Sequence, residues 1–321
     1  MQIKNWPLVE VEEWPKPEWL IEKLVPKNSL SVIYGKPKIG KSLLALDLSI
    51  RLANEGKSIL YLIGEGLGGL GARIKAWKAA FGDFDSSSVS FMFAERMLNL
   101  RDRGAVLEYM QKVKQEPWYQ QLVLDVDVDD EESEPGGEHT EFDSVDLIVI
   151  DTLSRAMVGA DENDAKDMST AVEHLDMLRR EMKSTILVLH HTPKDDDYVE
   201  RGSGALRGAA DVMLRMYDQG GLRNLKVDVS RDSEAGTEKQ YQIVPCESSA
   251  VLKPWTGGVW IKKGSVKDRI LDAVNNGAAS ADEIAWAAKL GKQQVWNNVS
   301  DLVRDGLLTK KEDSTYAKTE A

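Results

Sequence analysis

The segment GKPKIGKS, residues 35–42, decides the fold. It satisfies the pattern G-x-x-x-x-G-K-[ST] without a mismatch, follows the short apolar run LSVIY and precedes LLALDLSIRLA. Glycines at this spacing let a loop turn its backbone N–H groups inward at a helix N-terminus, where they hold phosphate oxygens. Gly35, Lys38, Gly40 and Leu43 are backbone candidates for that cradle, with Lys41 reaching the β- and γ-phosphates and the Ser42 hydroxyl at a magnesium position. ATP and Mg2+ are the ligands such a loop expects.

Working outward, SVIY reads as a buried strand, residues 41–54 as a helix and SILYLIG (58–64) as the next strand. Helical spacing recurs over 70–81, 103–115 and 164–182. VDLIVID (145–151) and STILVLHH (184–191) are continuous apolar runs, the kind found in strands covered on both faces. MLRMYD and LKVDVSRD read as later strands and YQIV as an edge. Strands alternating with helices predict an α/β fold with a mostly parallel central sheet and right-handed crossovers. The first 29 residues, rich in Trp and Pro, read as an irregular arm with one short helix, PEWLIEKLV.

Past residue 262 the texture changes. SVKDRILDAVNNG, SADEIAWAAKLG and KQQVWNNVSDLVRDG are three short helical patterns, each closed by Gly, before the alternating LLTKKEDSTYAKT. Three helices and a hairpin predict a winged helix-turn-helix domain over 262–321, after a nucleotide-binding domain over 30–261. Its third helix offers Lys292, Gln293, Gln294 and Asn297, and its wing Lys310 and Lys311, for DNA; the alternative use of such a domain is protein docking. Trp286 and Trp296 are expected to pack the small core.

The 321 residues carry a net charge of −12, which argues against coating nucleic acid by bulk charge but leaves a local basic surface possible. Much of the acid lies in DVDVDDEESEPGGEHTEFD (125–143), which reads as a solvated insertion. One cysteine, Cys246, excludes an internal disulfide framework and a cysteine-built zinc site. No apolar run approaches the roughly 18 residues of a membrane span, and residues 1–19 show no secretory pattern, so the cytoplasm is expected.

Three polar strand ends complete the candidate site. Asp151 closes VDLIVID, where an acid can hold magnesium or simply cap the following helix. Glu65, in GEGLGG after the second strand, can orient or deprotonate a water, or stand as a surface acid on a turn. His190 and His191 end STILVLHH; adjacent strand residues face opposite ways, so one of the two is expected to see the nucleotide.

GKPKIGKS, the Glu of GEG, VIDTLSR, LVLHHTPK, RGSGALRGAAD and VSRDSEAG occur in that order. The series resembles the RecA-like cores of hexameric replicative helicases, both the plasmid RepA type and the phage or DnaB type, over roughly residues 17–244. The resemblance implies Lys41 and Ser42 for phosphate and magnesium, Asp151 for magnesium, Glu65 as base and His191 as γ-phosphate sensor. It also implies Arg231 as a finger inserted into a neighbouring subunit's site, and Arg201 and Arg207 as candidates for phosphate or DNA. A basic residue two positions before the finger is replaced here by Val229, and the expected DNA loop, TPKDDDYVE, is acidic. The implied function is a ring-forming DNA helicase or translocase, with single-stranded DNA and replication proteins as partners. A recombination or repair ATPase, or a regulatory or loading factor acting through its winged helix, are the alternatives.

Overall fold

The computed structural model describes residues 18–83, 91–94, 97–117, 119, 145–192, 204–231, 236–255, 266–304, 306–311 and 314–319. Arg201, most of the TPKDDDYVE loop and the acidic segment 125–143 lie outside them. The chain divides into two compact units, Met1–Trp255 and Thr256–Ala321.

The first unit opens with β1 (Trp19–Ile21) and β2 (Val25–Pro26), an antiparallel pair, where the sequence suggested a short helix. Lys23 adopts a left-handed φ of 60° and the Leu24 N–H donates to the Ile21 carbonyl, closing a tight turn. So few residues before Pro26 give a helix too few hydrogen bonds to repay its nucleation. Then come β3 (Leu30–Gly35), α1 (Lys41–Asn54), β4 (Ile59–Ile63), α2 (Leu70–Phe81), β5 (Phe91–Ala94) and α3 (Arg103–Gln115). They are followed by β6 (Leu147–Asp151), the short α4 (Leu153–Ala156), α5 (Ala165–Glu181), β7 (Thr185–His191) and α6 (Ala205–Ala209). A meander closes the unit: β8 (Val212–Gln219), β9 (Leu222–Ser230), β10 (Glu238–Cys246) and β11 (Ser249–Pro254).

One sheet runs β11-β10-β9-β8-β3-β7-β6-β4-β5. It is parallel from β8 to β5 and antiparallel from β8 to β11. The segment YQIV is therefore an inner strand, and the edges are β11 and β5. Alternate residues of the central strands feed two cores. Val32, Tyr34, Ile148, Ile150, Ile186 and Val188 pack with α3 and α5, while Ile33, Leu147, Val149, Leu187 and Leu189 pack with Leu44, Leu48 and Leu52 of α1. Burial on both faces is why these strands read as unbroken apolar runs.

The second unit consists of α7 (Val266–Asn275), α8 (Ala281–Ala287), α9 (Lys292–Arg304) and a hairpin of β12 (Leu308–Lys310) and β13 (Tyr316–Lys318). Ser280 and Glu283 form a reciprocal capping box at the start of α8. Its core is Ile270, Ile284, Val295, Val299, Leu302, Leu308 and Tyr316. The expectation that both tryptophans would help fill it is overturned: Trp286 is 86% exposed and Trp296 49%. The buried stripe of α8 runs through Ile284 and Ala285, and that of α9 through Val295, Val299 and Leu302. At about 100° per residue, Trp286 lies roughly 200° from Ile284 and Trp296 roughly 100° from Val295, off the buried face.

Candidate nucleotide site

The adjacent strands β3, β7, β6 and β4 end along one edge of the sheet; β7 ends in His191 and β6 in Asp151, while β3 leads into the loop before α1. Gly35 pairs with His191, and Asp151 pairs with Ile63 and Leu189, so the strand ends stand level. Glu65 follows β4 by two residues. A ligand crevice at the carboxyl ends of parallel strands is the general property of such sheets.

The loop between β3 and α1 is held from beneath. A Cβ on Gly35 would stand 2.2 Å from the Met216 carbonyl oxygen, so only glycine lets β8 pass this close. Gly40 takes a φ of 115° and Lys38 one of 64°, which turns the chain into α1. Arg223, on β9, donates from Nε to the Ile39 carbonyl at 3.0 Å and pairs with Asp218, fastening the loop to the β8–β9 hairpin. Helix α1 has no side-chain cap, no acid in its first turn, and a lysine as its first residue. The N–H groups of Lys41, Ser42 and Leu43 precede the first intrahelical bond, which runs from Leu44 to Gly40. Such an end suits an anion.

Lys41 is nearly buried, at 5% exposure. Its Nζ donates to the carbonyls of Gly35 (2.8 Å) and Lys36 (2.9 Å) and stands 3.2 Å from His191 Nδ1. Burial lowers its pKa to about 8, opposed by the carboxylates of Asp151 and Glu65. His191 is lowered too, by burial and then by Lys41, and presents a neutral imidazole. His190 is fully buried, so His191 is the histidine at the loop.

Asp151 is buried, which raises its pKa; the Ser42 and Tyr61 hydroxyls and the Arg73 guanidinium oppose the rise. Oδ2 accepts from the Tyr61 hydroxyl at 3.0 Å, while Oδ1 is buried without a hydrogen-bond partner. An unmatched carboxylate oxygen beside a hydroxyl fits a cation. Among the described residues no cluster of three His, Cys, Asp or Glu side chains could cage a metal, so the protein would supply one carboxylate and one hydroxyl and the nucleotide the rest.

Glu65 Oε1 accepts from Arg155 Nε at 3.2 Å and lies 3.4 Å from the Thr152 hydroxyl. Arg155 and Thr152 lie just past Asp151, on and before α4. Both were missed in the sequence, as were Tyr61 and Arg223. Glu65, Arg155 and Thr152 bring the ends of β4 and β6 together.

Other candidates lie elsewhere. Arg207 pairs with Asp228 Oδ2 at 2.6 Å, an oxygen that also accepts from the buried Tyr34 hydroxyl at 2.7 Å. Burial and Asp228 push the Tyr34 phenol far up, while the Arg207 and Tyr34 hydrogen bonds hold Asp228 low against its own burial. Arg231 is half exposed; Nη2 donates to the carbonyls of Gly208 (2.9 Å) and Ala209 (3.3 Å), and Nη1 lies 3.4 Å from Asp211. Ser230 pairs with Val212 and Val212 with Ser31, so Arg231 follows the far end of β3 from Gly35, a strand rise of roughly 13 Å away. In the second unit Lys292 Nζ pairs with Asp282 at 2.7 Å, Gln293 donates to Asn297 at 3.1 Å, and Lys310 ends β12 with its side chain exposed.

Fold and loop together define an α/β domain with a phosphate-binding loop at the carboxyl edge of its parallel strands. A family model described as an AAA domain matches residues 8–197, more than half of the chain, and the chain belongs to that family. Among solved structures, one titled as a DnaB-like replicative helicase and its interactions with primase superposes with a TM-score of 0.50 at 15% identity, over 76% of this chain and 66% of that one. The ATPase domain of G40P gives 0.48 at 16% identity over 70% and 85%, and the RadB recombinase 0.44 at 15% over 68% and 89%. At these identities the likeness describes the fold. No curated protein sequence matches the chain.

Proposed function

We propose that the chain is an ATP-hydrolysing DNA helicase or translocase of the ring-forming RepA or DnaB-like type, working in the cytoplasm beside replication proteins. The observation that carries this reading is the alignment of Lys41, His191, Asp151 and Glu65 at one sheet edge with Arg231 at the other end of the strands. Lys41, now satisfied by loop carbonyls, exchanges them for β- and γ-phosphate oxygens. The loop N–H groups from Gly35 to Leu43, Lys38 and Gly40 among them, form the cradle. Ser42 and Asp151 would hold Mg2+, which would supply positive charge to offset that of the phosphates. Glu65, steadied by Arg155 and Thr152, orients the attacking water and takes its proton. His191, neutral and against Lys41, senses the γ-phosphate.

Arg231 lies at the strand end opposite its own loop, so as a finger it serves a neighbouring subunit, and hydrolysis requires assembly into a ring, taken to be hexameric. Arg201 and Arg207 are the first unit's candidates for DNA in this reading. The second unit acts as a winged helix, with Lys292, Gln293, Asn297 and Lys310 on DNA. A strand-displacement assay on forked DNA with ATP tests the reading: unwinding by the native protein and none by Lys41→Ala supports it. DNA-stimulated hydrolysis without unwinding refutes the helicase. Hydrolysis indifferent to DNA supports a second reading, a regulatory or loading factor, which the inward pairing of Arg207 with Asp228 favours.

A further inference from the structure

Two indoles stand in water on the second unit, and helix spacing fixes where. The Lys292–Asp282 ion pair, 2.7 Å, brings the first turns of α8 and α9 together. Trp286 is four residues beyond Asp282 and Trp296 four residues beyond Lys292, each one turn further along the same helix face. Each indole therefore stands one helical turn from a member of the same ion pair. Close to them in sequence, Lys289, Gln293, Asn297 and Ser300 are exposed. Among the described residues of this unit, Trp286 and Trp296 are the exposed large hydrophobic side chains. The nearby acid Glu283 is engaged by the Ala279 and Ser280 N–H groups, and Asp282 by Lys292.

A protein helix docks on a contiguous apolar groove, whereas among the described residues of this unit no large hydrophobic side chain besides these two is exposed. Isolated aromatic faces among amides and ammonium groups match bases and phosphates instead. Duplex DNA shows only base edges in its grooves, so an indole meets no base face there. In a single strand the faces are open, and every base has one.

We propose that Trp286 and Trp296 form a stacking site for single-stranded nucleic acid, with Gln293 and Asn297 at base edges and Lys289 on phosphate. The proposal rests on the reading of the chain as DNA-acting, and adds to it a single-strand contact that a groove-bound helix does not make.

The test is binding of the full chain to labelled oligo-dT and to a labelled duplex, followed by fluorescence anisotropy. Trp286→Ala and Trp296→Ala are each expected to weaken oligo-dT binding roughly 5- to 150-fold, the range that stacking of about 1–3 kcal/mol per base gives. Phenylalanine at either position keeps most of the affinity, duplex binding is unchanged, and so are thermal melting and DNA-independent ATP hydrolysis. Native affinity in both alanine variants overturns the proposal, as does a native protein that binds no oligo-dT. Equal losses on duplex and single strand return α9 to groove binding. Loss of a bound protein partner with oligo-dT affinity intact makes the indoles a protein dock. Each of these results leaves the ATPase reading standing if hydrolysis persists; absent hydrolysis in the native protein sinks that reading without altering the oligo-dT result.

Discussion

ATP affinity is expected to fall as the solution is made alkaline, because Lys41 is discharged early. Its pKa in the empty site is about 8, since burial disfavours the ammonium more than Asp151 and Glu65 favour it. Phosphate oxygens close to Nζ restore the ordinary lysine value, about 10.4. Where the bound state holds the proton more tightly than the empty one, binding takes up a proton and weakens as pH rises. With an empty-state pKa near 8, Lys41 is about 90% charged at pH 7 and about 9% at pH 9. Affinity should therefore fall about tenfold over that interval, or about 1.4 kcal/mol. Titration calorimetry at pH 8 in buffers of different ionisation enthalpy should show uptake of about half a proton per ATP. Lys41→Arg is the control: its guanidinium stays charged throughout, while Asp151, Glu65 and His191 remain in place. A flat affinity between pH 7 and 9 in the native protein, with no proton uptake, would refute the reasoning.

Three further outcomes are expected. Arg231→Ala abolishes turnover with ATP affinity nearly intact, and mixing it with Lys41→Ala restores part of the activity; full turnover in the single variant, or no rescue in the mixture, counts against a shared site. Asp228→Ala removes the acceptor that Tyr34 and Arg207 share and lowers stability by about 1–3 kcal/mol in urea unfolding, with Asp228→Asn recovering part; an unchanged midpoint contradicts this. Gly35→Ala drives a methyl into the Met216 carbonyl and costs about 1–3 kcal/mol, read by thermal unfolding; native stability would show that the approach of β8 is not tight.

Much of the fold was legible because its signals are local. Strands β3, β6 and β7 are buried on both faces and read as unbroken apolar runs. Helix α3 shows its buried residues Val106, Met110 and Val113 at helical spacing. The four-residue β5 and the edge strand β11 carry no period of their own and exist through pairing with distant strands. The tryptophans were misplaced because hydrophobicity alone puts them inside, whereas the helix phase set by Ile284 and Val295 puts them outside. At the candidate site the residues at strand ends were visible as residue types. Their wiring was not: Tyr61 on Asp151, Arg155 on Glu65 and Arg223 on the loop carbonyl all depend on strand order.

The central claim is that one copy of this chain makes an incomplete catalytic pocket, and that Arg231 of another completes it. ATP turnover per chain, measured across a dilution series alongside native mass, tests it most directly. Turnover should collapse as the assemblies fall apart into single chains. Undiminished turnover in samples shown by mass to be single chains would contradict it.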